Sequence, residues 1–221
     1  MVQTLKANKV TLGELEAQFG LVITHAAQFF TEWMEASGEV TIEDTQALER
    51  VKSNFENLLK DPPLLEGAVK MVVLSPLLDK AGFYQPPFRI KTETEIRIAN
   101  TDEEEGVVIS GVIDVLVVSR ILWVLVIESK MSDFSLTKAL PQALSYMLSS
   151  PSPVYFGLIT NGSEFVFLKL SREGIPQYAT SKVFSLLAPG NELVEVLRVL
   201  RHLGQLAVRD LIEESRENHS S

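Results

Sequence analysis

The chain has 221 residues, 46% of them hydrophobic, which is enough for one sizeable domain with an appendage. It has no cysteine, which excludes disulfides, thiolate metal sites and cysteine nucleophiles, and its three histidines disfavour zinc chemistry. The net charge of −9 excludes a protein that binds nucleic acid over its whole surface, because neutralising phosphates requires clustered lysine and arginine. Any contact with DNA must therefore be local.

The cellular location is predicted from the first residues and from the one long apolar stretch. Residues 1–9 are polar and lack the apolar core of a secretion signal, so we expect a cytoplasmic protein. The stretch 107–127 is long enough to cross a bilayer, but Asp114 and Arg120 would each cost a few kcal/mol there. Its Val and Ile residues favour strands. We therefore expect no membrane span.

Three helices are predicted before the first strand. Thr11 and Glu14 form a capping box at the start of the first helix, and Gly38 ends that helix. Pro76 interrupts the third helix. Apolar residues at helical spacing predict the spans 11–36, 42–60 and 64–80.

The rest of the chain predicts an α/β domain with a mixed sheet. Polar and apolar residues alternate at 91–99, and two strands buried on both faces follow within 107–127. Asn161-Gly162 between "VYFGLIT" and "EFVFLKL" is a strong hairpin signal. Helices are predicted at 133–149 and 191–214.

Charged residues interrupt the two central strands. If a three-residue turn sets Ser119 opposite Trp123, the antiparallel register places Asp114 directly across from Glu128, on one face of the sheet. Lys130, two residues after Glu128, then points to the same side. Two buried carboxylates repel each other unless a cation compensates, and their oxygens suit Mg²⁺ or Mn²⁺. This cluster predicts phosphodiester hydrolysis, in which the lysine serves the attacking water.

The same residues have an ordinary structural explanation. Asp114 would cap a turn, and Glu128 with Lys130 would form an ion pair at the exposed end of a strand. The pattern of Asp114, Glu128 and Lys130 is short and common, so the choice between the two interpretations depends on the residues that follow it. In the next predicted helix, Gln142 and Tyr146 lie four positions apart on one face, with Lys138 one turn earlier on the same line.

These motifs together resemble the PD-(D/E)XK nucleases and, within them, the N-terminal nuclease domain of type I restriction enzyme motor subunits. The resemblance covers roughly residues 64–170, in the family's order. It rests on "LLEGAVKMVVLSPLLDKAGF" with Glu66, "GVID" ending at Asp114, "VIESK" ending at Lys130, "QALSY" from Gln142 to Tyr146, and "GLITNGSEFVF" at 157–167.

The resemblance implies a fold and a domain organisation. It implies a restriction-endonuclease-like α/β core at 61–185, behind a helical N-terminal extension at 1–60. A C-terminal helix and tail at 186–221 would pack on the core or on a partner chain.

The resemblance also implies site roles. Asp114 and Glu128 would hold Mg²⁺ or Mn²⁺ and Lys130 would serve the catalytic water. Gln142 and Tyr146 would support the site. The implied DNA contacts are Lys138 and Gln142, and Glu66 is implied as a more distant carboxylate, with a solvated helical charge as the alternative.

The chain departs from the family in two respects. Ile113 stands before Asp114 in place of the proline in the family's name. No GxxxxGK[ST] loop is present, so ATP-driven translocation is not expected. Three functions stay open: a Mg²⁺-dependent DNA endonuclease, a catalytically silent DNA-binding or assembly module with the nuclease fold, and an RNA-directed or repair-type nuclease, which the lack of a stacking-aromatic array disfavours.

The predicted partners are DNA, an accessory protein that supplies specificity, and a second copy of the chain. Helices within 11–60 and 191–214 carry more apolar surface than a minimal core needs, and either a homodimer or packing within one chain would cover it. Candidates for a basic strip that contacts DNA are Lys91, Arg97, Lys138, Lys169 and Arg172.

Overall fold

The structure, a computed structural model, describes residues 3–99, 107–119, 122–129, 135–150 and 153–217. For residue 3 and for 122–129 and 210–217 it describes the backbone alone. Within the part described, no helix combines the length and the apolar character that crossing a membrane requires.

The first half of the chain is mainly helical. They are β1 (Gln3–Lys6), a 3-10 turn (Ala7–Lys9), α1 (Leu12–Phe19), β2 (Val22–Ile23), α2 (Glu32–Glu35), α3 (Ile42–Leu58), α4 (Glu66–Val69), a π turn (Lys70–Leu74) and α5 (Ser75–Lys80). The second half contains β3 (Phe88–Ala99), β4 (Val107–Ser119), β5 (Leu122–Ser129), α6 (Leu136–Leu148), β6 (Val154–Thr160), β7 (Glu164–Ser171), β8 (Gln177–Thr180), β9 (Phe184–Ser185) and α7 (Leu193–Glu217).

The described strands form one nine-stranded mixed sheet. Its order is β1-β4-β5-β6-β7-β8-β2, with β3 on the other edge of β4 and β9 beside β7. Strands β3, β4 and β5 are antiparallel, and the chain then crosses through α6 to β6, which is parallel to β5. The predicted α/β class is confirmed, and the order helix, three strands, helix, strand is consistent with a restriction-endonuclease-like core.

Helices cover both faces of the sheet. One hydrophobic cluster joins the sheet to α3, the α4–α5 region and α7, and we call its side the α5 face. The other joins the sheet to the 3-10 turn, α1 and α6, and we call its side the α6 face. Because both faces are covered, the central strands are almost continuously apolar.

The N-terminal prediction was partly wrong. The capping box of Thr11 and Glu14 is present, but α1 ends at Phe19 because Gly20 adopts a left-handed conformation with φ 65°. Strand β2 pairs with β8, and β1 pairs in parallel with residues 107–110. The segment predicted to be a helical extension therefore contributes two strands to the sheet. The domain boundaries at 60 and 185 stay predictions.

Two helices of the structure contain a proline, Pro76 in α5 and Pro141 in α6. The third predicted helix continues through Pro76 because a π turn precedes it, in which the N–H of Ser75 donates to the carbonyl of Lys70. This turn accommodates a residue that has no N–H to donate. Pro141 lies inside α6, between its ends at Leu136 and Leu148.

Three helices meet at the buried carboxylate of Asp44. Its side chain is 7% exposed and accepts hydrogen bonds from the N–H of Thr41, 3.2 Å away, and from Arg201 of α7, 2.9 Å away. Lys80 of α5 lies 3.8 Å from its other oxygen. The hydrogen bond from Arg201 lowers the pKa of Asp44 below its ordinary value, although burial opposes this. Asp44 therefore holds α3, α5 and α7 together as an anion.

We predict that Asp44→Asn destabilises the protein by about 2–3 kcal/mol at pH 7, because Arg201 loses its buried partner charge. A lowered pKa gives stability that is present above the unfolded-state pKa of about 3.9 and is lost as pH falls through the folded value. The difference between wild type and variant should therefore narrow in urea unfolding measured from pH 7 down to pH 3.

Glu43→Gln is the matched control. Glu43 is the neighbouring acid and also contacts Lys80, at 2.9 Å, but its side chain is 84% exposed. The expected change in unfolding free energy is below about 0.5 kcal/mol. An equal loss in both variants would contradict the role given to Asp44.

Candidate functional site

The turn between β4 and β5 differs from the prediction, which set Ser119 opposite Trp123. In the structure Ser119 pairs with Leu122 and Val118 pairs with Trp123. The register then shifts, so that one residue of β5, Val124, is passed over before the ladder resumes. The observed turn is one residue shorter than the predicted one, and the residue passed over in β5 compensates for this difference.

The offset restores the predicted alignment beyond the bulge. Val115 pairs with Ile127, the pair at this end of the ladder, and the same register continued by one step would set Asp114 opposite Glu128. On its other side Glu128 pairs in parallel with Ile159 of β6. These are backbone positions, because the side chain of Glu128 and all of Lys130 lie outside the description. The convergence of the three charged groups stays a prediction.

The regular alternation of β4 side chains between the two faces of the sheet is interrupted at Asp114. Ile113 contacts the α6 face and Val115 contacts the α5 face, although regular alternation would set both on one side. In β3 the ladder passes from Thr92 to Thr94, and Glu93 between them has a φ of 51°, in the left-handed region. Ile90 and Ile96 of β3 likewise lie on opposite faces. The rule that opposed residues share a face, on which the predicted cluster relied, therefore does not apply to Asp114.

On the α5 face Asp114 meets a lysine from the helical region. The ammonium of Lys70 lies 3.1 Å from the carboxylate of Asp114 and 2.6 Å from that of Glu66. The exposed fractions of the Asp114, Lys70 and Glu66 side chains are 16%, 29% and 36%. Glu66, predicted as a distant carboxylate of the site, is thus linked to Asp114 through a cationic side chain.

Lys70 stays charged in this position. Burial disfavours its ammonium form, but hydrogen bonds and charge from Glu66 and Asp114 outweigh burial and raise its pKa above the ordinary value. Lys70 is also the first residue of the π turn, a distortion that is frequent at functional sites. The sequence prediction missed Lys70. The spacing of Glu66 and Lys70 indicates a helical pair, but no sequence pattern shows that this pair reaches β4.

A cavity of about 480 Å³ adjoins this group. Lys70 and Asp114 lie in its wall with Glu93, and two exposed side chains, Met71 and Tyr84, stand at its rim. Its remaining lining is mainly aliphatic and includes Leu74, Leu78, Ile90 and Val115. The irregular point of the sheet thus exposes Asp114 to a space that admits a ligand.

Gln142 and Tyr146 line a different cavity, of about 510 Å³, together with Lys6 and Gly111. The amide nitrogen of Gln142 donates to the hydroxyl of Tyr146 at 2.7 Å. Tyr146 is only 1% exposed and packs in the α6-face cluster, so its ring is part of the core. Lys138 is exposed one turn earlier. The roles predicted for these three residues stay predictions.

Two of the five basic-strip candidates have structural roles. Arg172 donates to the carbonyl of Ser150 at 2.7 Å and lies over the ring of Tyr155. Lys169 is paired with Glu32 of α2. Lys91 and Arg97 are exposed on β3. Within the described side chains, no three Asp, Glu or His residues form a metal-binding group by themselves.

Comparison with solved structures gives several matching chains, one of which is a distant relative of known description. The structure is similar to one described as a fragment of an HsdR subunit of a type I restriction enzyme from Vibrio vulnificus YJ016, with 18% identity and a TM-score of 0.39. The match covers 62% of this chain and 26% of that one, so it spans about a quarter of the relative's length. No protein-family model matches the sequence, and no curated protein matches it. A match with this identity and TM-score does not assign roles to residues of this chain.

Gly111 allows the close packing beside the predicted helix motif. A Cβ at this position would lie 2.6 Å from Cβ of Ala7 and 2.8 Å from the ring of Tyr146. Both neighbours are buried, so neither can move freely. We predict that Gly111→Ala destabilises the protein by about 1–3 kcal/mol, measured by urea unfolding.

Gly13→Ala serves as the control for this substitution. Gly13 lies in α1 with nothing within 4 Å of an added Cβ, so alanine should leave stability unchanged or raise it by up to about 1 kcal/mol. A Gly111→Ala protein as stable as wild type would show that the 3-10 turn and α6 are not held tightly against β4.

Proposed function

We propose that this chain is a divalent-metal-dependent DNA endonuclease of the restriction-endonuclease-like type. The observation that carries the proposal is the position of Asp114. It is a partly buried carboxylate at the irregular point of the central strand, beside a cationic side chain and a cavity. The succession of helix, three strands, helix and strand supports the same reading.

The residues present are suited to a hard divalent cation. Carboxylate oxygens are the ligands that Mg²⁺ and Mn²⁺ prefer, and Asp114 supplies one in a wall open to a cavity. The ammonium of Lys70 already pairs with this carboxylate, so an ion would have to take its place there. In the proposal, Asp114 and Glu128 hold the ion, and their carboxylates must both reach it across the irregular ladder. A bound ion of this kind lowers the pKa of a coordinated water.

The remaining roles belong to side chains of this chain. Lys130 would orient the attacking water and offset charge on the phosphoryl group as the phosphodiester bond is cleaved. Lys138, which is exposed in the first turn of α6, and Gln142, one turn later, would contact the DNA backbone. DNA is preferred over RNA because the described side chains include no array of exposed aromatic residues that would stack single-stranded bases.

We predict that the purified protein nicks supercoiled plasmid in the presence of Mg²⁺ or Mn²⁺. Asp114→Asn, Glu128→Gln and Lys130→Gln should each lower the nicking rate at least about 100-fold, because each removes a ligand or the charge that serves the water. Gel assays of the nicked product, with circular dichroism of each variant to confirm folding, measure this.

Glu173→Gln, an exposed acid in the turn before β8, is the control and should cleave at the wild-type rate. The proposal fails if the folded wild-type protein cleaves no duplex, single-stranded or branched DNA with either metal. Binding of DNA without cleavage would instead identify a silent binding module. Equal or faster cleavage of matched RNA would assign the site to RNA.

A further inference from the structure

The contacts of Lys70 exceed those of an ordinary helical ion pair. Glu66 and Lys70 are four residues apart, a spacing that commonly gives a weak surface pair. Lys70 also bonds Asp114, which lies 44 positions away on β4. One ammonium therefore compensates two carboxylates from different elements, and one of them is the acid that the proposed function assigns to the metal.

We propose that Lys70 is a built-in counter-ion that a divalent cation displaces from Asp114. The inference rests on the proposed function in that it takes Asp114 as a metal ligand, and it concerns what this lysine does before and after the ion binds. Lys70 is here a positioning residue. Without the ion its ammonium neutralises Asp114, and with the ion it is released from that carboxylate.

The electrostatic reason is direct. The Lys70 nitrogen lies 3.1 Å from an oxygen of Asp114, and a cation bound to that carboxylate would be a close neighbour of like charge. Like charges a few ångströms apart in a partly buried site repel strongly. Glu66, at 2.6 Å, stays available to Lys70 as a second partner. Cation binding at Asp114 therefore has to overcome the lysine, which weakens the affinity for the metal.

The test is the Mn²⁺ affinity of Lys70→Gln, measured by isothermal titration calorimetry without DNA. Removing the competing ammonium should tighten Mn²⁺ binding at least about tenfold. The thermal midpoint of the metal-free variant should be lower than that of wild type, and Mn²⁺ should raise it by more than it raises the wild-type midpoint. Lys70→Arg, which keeps the charge, should bind Mn²⁺ as weakly as wild type. Unchanged or weaker Mn²⁺ binding in Lys70→Gln overturns the proposal.

Lys80→Gln is a matched control variant. Lys80 also lies between two carboxylates, at 2.9 Å from Glu43 and 3.8 Å from Asp44. Arg201 already compensates Asp44, at 2.9 Å. Loss of Lys80 should therefore leave the Mn²⁺ affinity unchanged. A tenfold gain in this variant as well would show a general effect of net charge and would overturn the assignment to Lys70.

A second measurement uses the wild-type protein and does not depend on a folded variant. Lysine acetylation by a small reagent is followed residue by residue by mass spectrometry, with and without saturating Mg²⁺. Release of Lys70 from Asp114 should make it react several-fold faster when Mg²⁺ is present, while Lys80 keeps its rate. A Lys70 rate that is unchanged or slower with Mg²⁺ contradicts displacement.

The two proposals fail in different ways. If the protein cleaves no DNA but Mn²⁺ still binds more tightly to Lys70→Gln, the counter-ion role stands and the endonuclease is wrong. If the protein cleaves DNA but neither Mn²⁺ affinity nor Lys70 reactivity responds, the endonuclease stands and the counter-ion role is wrong.

Discussion

The charge of Asp114 is the constraint around which the centre of the molecule is arranged. Both faces of the sheet are covered by helices, so a carboxylate on β4 needs a compensating charge. Lys70 supplies it from the π turn, and Glu66 holds the lysine from one helical turn earlier. The helical region before β3 thus packs on the sheet and also neutralises its central acid. Lys70 thus joins acids from two elements that are far apart in the sequence.

The phase change in β3 and β4 is what brings Asp114 to that lysine. Glu93 takes a left-handed conformation that residues other than glycine seldom adopt, and such conformations occur where the surrounding structure requires them. Because Asp114 and Val115 both lie on the α5 face, the acid reaches Lys70 while the valine still fills the core. A regular strand that placed Val115 in this core would have directed the preceding residue to the opposite face.

Much of the fold could be predicted because periodicity and turn chemistry are local properties. The capping box of Thr11 and Glu14, helix α3 and the Asn161-Gly162 hairpin follow from them. The first helix was extended too far because its apolar spacing continues past Gly20, where the backbone turns left-handed. Strand β1 is only four residues long and is specified by its partner β4, so it has no signal of its own. The motif predicts a role for Asp114, which stays a prediction, but it does not predict the contact with Lys70, because that contact joins distant parts of the chain.

Under the proposed function, formal charge bears on how a protein with a net charge of −9 would approach a phosphodiester at Asp114. Glu66, Asp114 and Glu93, which lines the same cavity, contribute three negative charges and Lys70 one positive charge, which gives −2 for these four side chains. A divalent cation changes this sum to 0. These side chains would therefore repel a phosphate without the ion and would no longer repel it with the ion. If Lys70 is released from Asp114 as proposed, it remains beside Glu66, so the ion rather than the lysine removes the repulsion of the phosphate. Metal binding and DNA binding would then favour each other. This coupling would confine DNA contact to the metal-loaded site and leave the acidic remainder of the surface repulsive.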